Sequence, residues 1–176
     1  MPLKPVSTPK SCMHYQGLLY RALNPIWARE PLSGEGARHF GGRFNPKGVP
    51  ALYTSLSIQT AIREANQIGT LQPTTLVSYQ CDLTLIFDAT DCRFLSEYGF
   101  TLEQLAADNW RLEMKKFGMA PTQRLAEHLL ADGFIGMRVR SFAKGTSEDD
   151  HNMVLWKWGD ALPSRISVVD DEGRLR

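Results

Sequence analysis

The chain has 176 residues, 43% of them hydrophobic and 10% aromatic, enough to bury one continuous core in a single domain. Its 20 Lys and Arg against 19 Asp and Glu leave a net charge of +1, and no tract gathers the basic residues, which argues against direct nucleic-acid binding. No apolar run reaches membrane-spanning or signal-peptide length, and Cys12, Cys81 and Cys92 form no CxxC pair, so the expectation is a cytoplasmic protein with reduced thiols, no membrane and no metal.

Residues 1–16, which include the proline-rich MPLKPVSTPK, read as a flexible lead, and residues 17–176 as the domain. GLLYRAL (17–23) reads as a first strand, with Arg21 either on a solvent face or aimed into a cleft. Residues 24–50 are rich in Gly and Pro and read mostly as loop. Connections of that length in compact domains tend to be functional. ALYT (51–54) reads as a strand, and SIQTAIREANQ (57–67) as a helix capped by Ser57. Ile58, Ala61, Ile62 and Ala65 predict its buried face, with Glu64 on the flank, about 110° from the centre of that face.

TTLVSYQCDLTLIFDAT (74–90) predicts one long strand or two broken ones. Thr101 and Gln104 make a capping box for a helix through Leu105 to about Lys116, stopped by Gly118. Pro121 opens another helix, with Leu125, Ala126, Leu129 and Leu130 on one face and Gly133 at its end. FIGMRVRS (134–141), NMVLWKW (152–158) and SRISVVDD (164–171) are strand-like, parted by KGTSEDD and GDALP turns. This order does not alternate as a doubly wound sheet does, so the expected class is α+β, or mixed α/β.

Arg43 follows Gly41 and Gly42 in GGRFNPKGVPALYTS (41–55). A glycine pair admits close backbone approach to a ligand and a guanidinium fork suits phosphate, with a solvated hairpin arginine equally open. Tyr53 is either a site aromatic or a core tyrosine with a satisfied hydroxyl, and Glu64 either a cleft carboxylate or a solvated helix residue. Arg138 and Arg140 alternate with Met137 and Val139 as an outer strand face, and Ser141 stands at the strand end. SEDDH (147–151) lacks metal-ligand spacing and reads as a solvated turn. With no GxGxxG or GxxxxGK[ST], neither a Rossmann nor a P-loop site is available.

LYRAL (19–23), GGRFNPKGVPALYTS (41–55) and AIREA (61–65) together resemble the RES domain, the toxin half of Res–Xre type bacterial toxin–antitoxin pairs. The resemblance runs from about Gly17 to Trp158, with Phe44 where the family more often has Trp. It implies an ADP-ribosyltransferase-like fold, with central mixed or antiparallel sheets and flanking helices, that uses NAD⁺ as substrate and breaks the bond between nicotinamide and ribose. The arginine, glutamate and serine of the family name fall on Arg43, Glu64 and Ser141, with Ser147 the alternative serine.

In the implied mechanism Glu64, Arg43 and Tyr53 are catalytic. Glu64 stabilises an oxocarbenium-like transition state, and Arg21 and Arg43 hold the pyrophosphate or ribose. Tyr53 stacks on a ring, and Ser141 donates to the nicotinamide amide or a phosphate. The expected activity is transfer of ADP-ribose to a cellular protein, and the alternative is NAD⁺ hydrolysis or phosphorolysis. A reading of another class is a non-enzymatic partner of an Xre-type antitoxin. That antitoxin, with its helix-turn-helix DNA-binding part, is in either case the implied partner in a hetero-oligomer.

Overall fold

β1 (Cys12–Leu23) and β3 (Thr75–Asp88) pair antiparallel along most of their length, from Cys12 opposite Phe87 to Leu23 opposite Thr75. The structure, a computed structural model, describes residues 11–67 and 69–175, so the loose first ten residues expected from the sequence lie outside it. Residues 12–16, expected in the flexible lead, are instead strand, because β3 supplies their backbone partners at long range.

The apolar run 74–90 is one strand with a divided second edge. Tyr79 to Leu83 pair antiparallel with β6 (Ser164–Val168), and Ile86 to Asp88 pair parallel with β4 (Gly136–Arg140). β4 pairs with β5 (His151–Leu155) and β5 with β2 (Leu52–Ser55), both antiparallel. β2 then meets β1 where Tyr20 faces Ser55, so the six-stranded mixed sheet closes on itself.

Strand side chains alternate between faces, and here both faces are buried. Leu19, Tyr79, Leu83, Ile86, Met153 and Leu155 fill one side. Phe87, Met137, Val139, Val154 and Trp156 fill the other, under α3 (Cys92–Glu97), α4 (Leu102–Ala106) and α6 (Pro121–Ala131). Leu95, Leu105, Leu125 and Leu129 of these helices are fully buried, each contributing about 1.5–3 kcal/mol.

Helix ends follow their local signals. Ser57 Oγ accepts from Thr60 N–H at the start of α2 (Ile58–Ala65), the Thr101–Gln104 capping box opens α4, and Pro121 is the first residue of α6. Gly118, at a left-handed φ of +80°, ends α5 (Trp110–Phe117). The helix expected from 101 to 116 is therefore two helices, broken at 107–109. The segment 24–50 holds a 3-10 turn (Pro25–Trp27) and α1 (Glu35–Phe40) within its loops.

Of the expected apolar stripe of α2 only Ala61 is buried, beside Thr60, whereas Ile58 is 48% and Ile62 36% exposed and Ala65 is exposed too. The inward face lies about 100° round, towards Glu64. Among the described residues no helix is long and apolar enough to cross a membrane.

Candidate active site

The GGRFN segment is a locked turn. Asn45, wholly buried, donates through Nδ2 to the carbonyls of Ala37 (2.8 Å) and Val49 (2.9 Å), and its Oδ1 accepts the Tyr53 hydroxyl at 2.7 Å. The same hydroxyl accepts the Phe44 N–H at 3.1 Å. Gln123, also wholly buried, reaches from α6 to the carbonyls of Gly42 (2.8 Å) and Asn45 (3.1 Å), and Trp156 Nε1 donates to the Phe44 carbonyl at 2.8 Å.

The glycines serve this packing. Gly41 takes φ +75°, and a Cβ on Gly42 would fall 2.4 Å from the Tyr53 hydroxyl and 2.5 Å from Asn45 Oδ1. It is the protein's own tyrosine that approaches the backbone there. Burial pushes the Tyr53 hydroxyl well above its ordinary pKa, against smaller opposing pulls from the Phe44 amide and Arg43. It acts as a neutral hydrogen-bonding strut, while its ring lines the adjoining cleft.

That cleft, of about 280 Å³, is lined by the 41–44 backbone, Tyr53, Glu64, Gln67, Trp110, Arg111, Arg140, Phe142 and Asn152, among others. Glu64 enters it from α2 and is held by three donors. Ser141 Oγ and Asn152 Nδ2 both donate to Oε1 at 2.5 Å, and Gln67 Nε2 donates to Oε2 at 2.5 Å. Asn152 is itself fixed by the buried Ser55 hydroxyl, which donates to its Oδ1 at 2.7 Å. Ser141 is 1% exposed, so Oε1 is tied to a buried wall, whereas Oε2 meets only the exposed Gln67.

The structure thus joins Glu64 to Ser141 rather than to Ser147. Ser147 Oγ donates to Asp150, whose carboxylate also takes Thr60 Oγ1 at 2.6 Å and the Ser147 N–H at 2.7 Å. Those bonds, the Ser147 amide foremost, hold the Asp150 carboxyl below its ordinary pKa, and Arg63 stands 3.6 Å away. The acidic run is a strut between the 141–151 turn and α2. Among the described residues no group of three or more His, Cys, Asp or Glu side chains could hold a metal ion.

Arg43 lines the cleft, but its guanidinium turns to the helix break. Nη1 donates to the carbonyls of Leu105 (2.9 Å) and Ala107 (3.2 Å), and Nη2 meets Asp108 at 3.3 Å. The guanidinium sits 5.1 Å from the Phe142 ring centre. At the break between α4 and α5 it therefore supplies hydrogen bonds that a continuous helix would make internally. Arg21 is not brought to the cleft. Tyr20 is opposite Ser55, so the next residue points to the other face, where Arg21 Nη1 reaches the carbonyls of Pro31 (3.4 Å) and Ser33 (3.3 Å). Arg138, read as outer-face, forms a two-pronged pair with Asp88 at 3.2 and 2.6 Å.

Asn152, Gln123 and the α5 residues Trp110 and Arg111 were not singled out from the sequence. Only Asn152 carried a usable signal. It heads an apolar strand, and period two from Val154 puts it on the face of Tyr53 once β2 and β5 are known to pair.

The curated relatives include the NAD(+) phosphorylase MbcT of Mycobacterium bovis and that of Mycobacterium tuberculosis. Each is 31% identical over 93 residues, 47% of this chain and 50% of theirs, so the chain spans about half the length of the curated relatives it matches. Among solved structures, the Mycobacterium tuberculosis MbcT–MbcA toxin–antitoxin complex contains a chain with the same fold, at a TM-score of 0.62 and 22% identity over 90% of this chain and 84% of that one. The RES domain family profile matches residues 18–176, which takes in the Arg43 turn, Glu64, Ser141 and Asn152, and the chain belongs to the RES domain family.

Proposed function

We propose that this chain is an NAD⁺-cleaving enzyme, the toxin of a toxin–antitoxin pair, that breaks the bond between nicotinamide and ribose. The observation that carries the reading is the Glu64 carboxylate, anchored through Oε1 by Ser141 and Asn152 in a cleft walled by Tyr53, Trp110 and Phe142. Breaking that bond builds positive charge on the ribose as neutral nicotinamide leaves with the electron pair. A carboxylate already oriented beside the ribose stabilises this charge more than it stabilises the ground state. Gln67, which donates to Oε2, is exposed, and a ribose hydroxyl takes its place on that oxygen.

The acceptor is inorganic phosphate, a choice supported by the phosphorylase names of the relatives. A phosphate oxygen forms the new bond to the ribose carbon as nicotinamide departs, giving ADP-ribose phosphate. Transfer to a protein is the second reading, supported by the exposed Trp27 and by the turn at 142–150. The partner is an antitoxin, Xre-type with a helix-turn-helix part, that binds this chain in the cytoplasm. Incubating the chain with labelled NAD⁺, with and without phosphate and cell lysate, tests the proposal. Phosphate-dependent ADP-ribose phosphate is expected, label on a protein band would favour transfer, and untouched NAD⁺ would sink the activity.

A further inference from the structure

We infer that Arg111, on α5, binds the diphosphate of the dinucleotide, an inference that rests on the NAD⁺ reading above. A dinucleotide brings a doubly charged diphosphate into the cleft and needs a cation free to meet it. The arginines lining the cleft are Arg43, Arg111 and Arg140, and Glu64 is the carboxylate among the lining residues. Arg43 turns Nη1 to the carbonyls of Leu105 and Ala107 and Nη2 to Asp108, away towards the helix break. Arg140 stands 3.6 Å from Glu148.

Arg111 has no carboxylate partner among the described residues. Its guanidinium lies over the ring of Trp110, 4.3 Å from the ring centre, and Trp110 is buried and itself lines the cleft. This contact with the ring holds the guanidinium beside the cleft and leaves its N–H groups available to phosphate oxygens. Arg43 then acts one step back, because its bonds to Leu105 and Ala107 fix the junction from which α5, and so Arg111, departs.

Steady-state kinetics on the full chain and its Arg111→Ala and Arg111→Lys variants, with inhibition by ADP-ribose and by nicotinamide, test the assignment. In Arg111→Ala the KM for NAD⁺ and the Ki for ADP-ribose should each rise about tenfold, the size of one charged hydrogen bond. The kcat and the Ki for nicotinamide, which has no phosphate, should stay within about twofold, and Arg111→Lys should recover part of the loss. Unchanged KM and ADP-ribose inhibition overturn the proposal, as does an equal rise for nicotinamide, which would mean a distorted cleft. If the unaltered chain leaves NAD⁺ intact, the activity reading fails, and calorimetry with ADP-ribose decides Arg111 separately. About tenfold weaker binding by Arg111→Ala upholds it, and equal binding or none overturns it.

Discussion

Glu64 shows how one carboxylate is given two different oxygens. Oε1 is fixed by Ser141 and Asn152, while Oε2 meets only the exposed Gln67. Glu64→Gln keeps the shape and removes the charge, so kcat should fall by about a hundredfold or more with little change in NAD⁺ binding, measured by turnover and calorimetry side by side. Equal losses in both would make Glu64 a binding group instead. Asn152 meets the site through its bond to Glu64 Oε1, and its substitution tests a positioning role. Asn152→Ala should lower kcat about tenfold with KM little changed. Asn152→Asp should be worse than Ala, since it sets a second carboxylate where the donor stood. If Asp equals wild type, Asn152 has no positioning role.

At the scale of elements, the site is held by side chains that bond to backbone across long sequence gaps. The 41–45 turn depends on Gln123, 81 residues from Gly42, and the α4–α5 junction on Arg43, 62 residues from Leu105. Removing the Arg43 guanidinium strands two carbonyls at a helix break. Arg43→Ala should therefore cost about 1–3 kcal/mol in urea unfolding and speed amide exchange across 105–110, besides any effect on NAD⁺. Unaltered exchange there would contradict the tether. Gly42→Ala pushes a methyl against Tyr53 and Asn45 and should destabilise by about 1–3 kcal/mol, more than Gly36→Ala, where a Cβ meets open space.

Over the whole molecule, the Asp88–Arg138 pair joins the end of β3 to β4 beside the closed sheet. Burial raises the Asp88 carboxyl, but Arg138 and Thr90 outweigh it, and the net direction is below the ordinary value of 3.8. The folded protein therefore binds this proton less readily than the unfolded chain. The pair's contribution is present in full above the unfolded carboxylate's range and is lost as pH falls through and below it. Thermal midpoints measured between neutral and acid pH should fall with acidity, and Asp88→Asn should flatten part of that fall. A parallel curve for the variant would remove Asp88 from the acid response.

The sequence by itself determined what neighbouring residues decide: the Ser57 cap, the Thr101–Gln104 box, the Gly118 stop, the Pro121 start and the mixed class. The family motifs also placed Arg43, Tyr53 and Glu64 in one region, and the fold brings them to one cleft. Only the tertiary structure decided which face each residue serves. The apolar stripe of α2 misled because Thr60 and Glu64 find polar partners at Asp150, Ser141 and Asn152, up to 90 residues away, and those bonds turn the polar edge inward. Arg21 left the site, and Asn152 joined it, for a single reason. A strand's parity is local, but which parity faces the cleft is set by pairing register, and register exists only once β1, β2 and β5 have met.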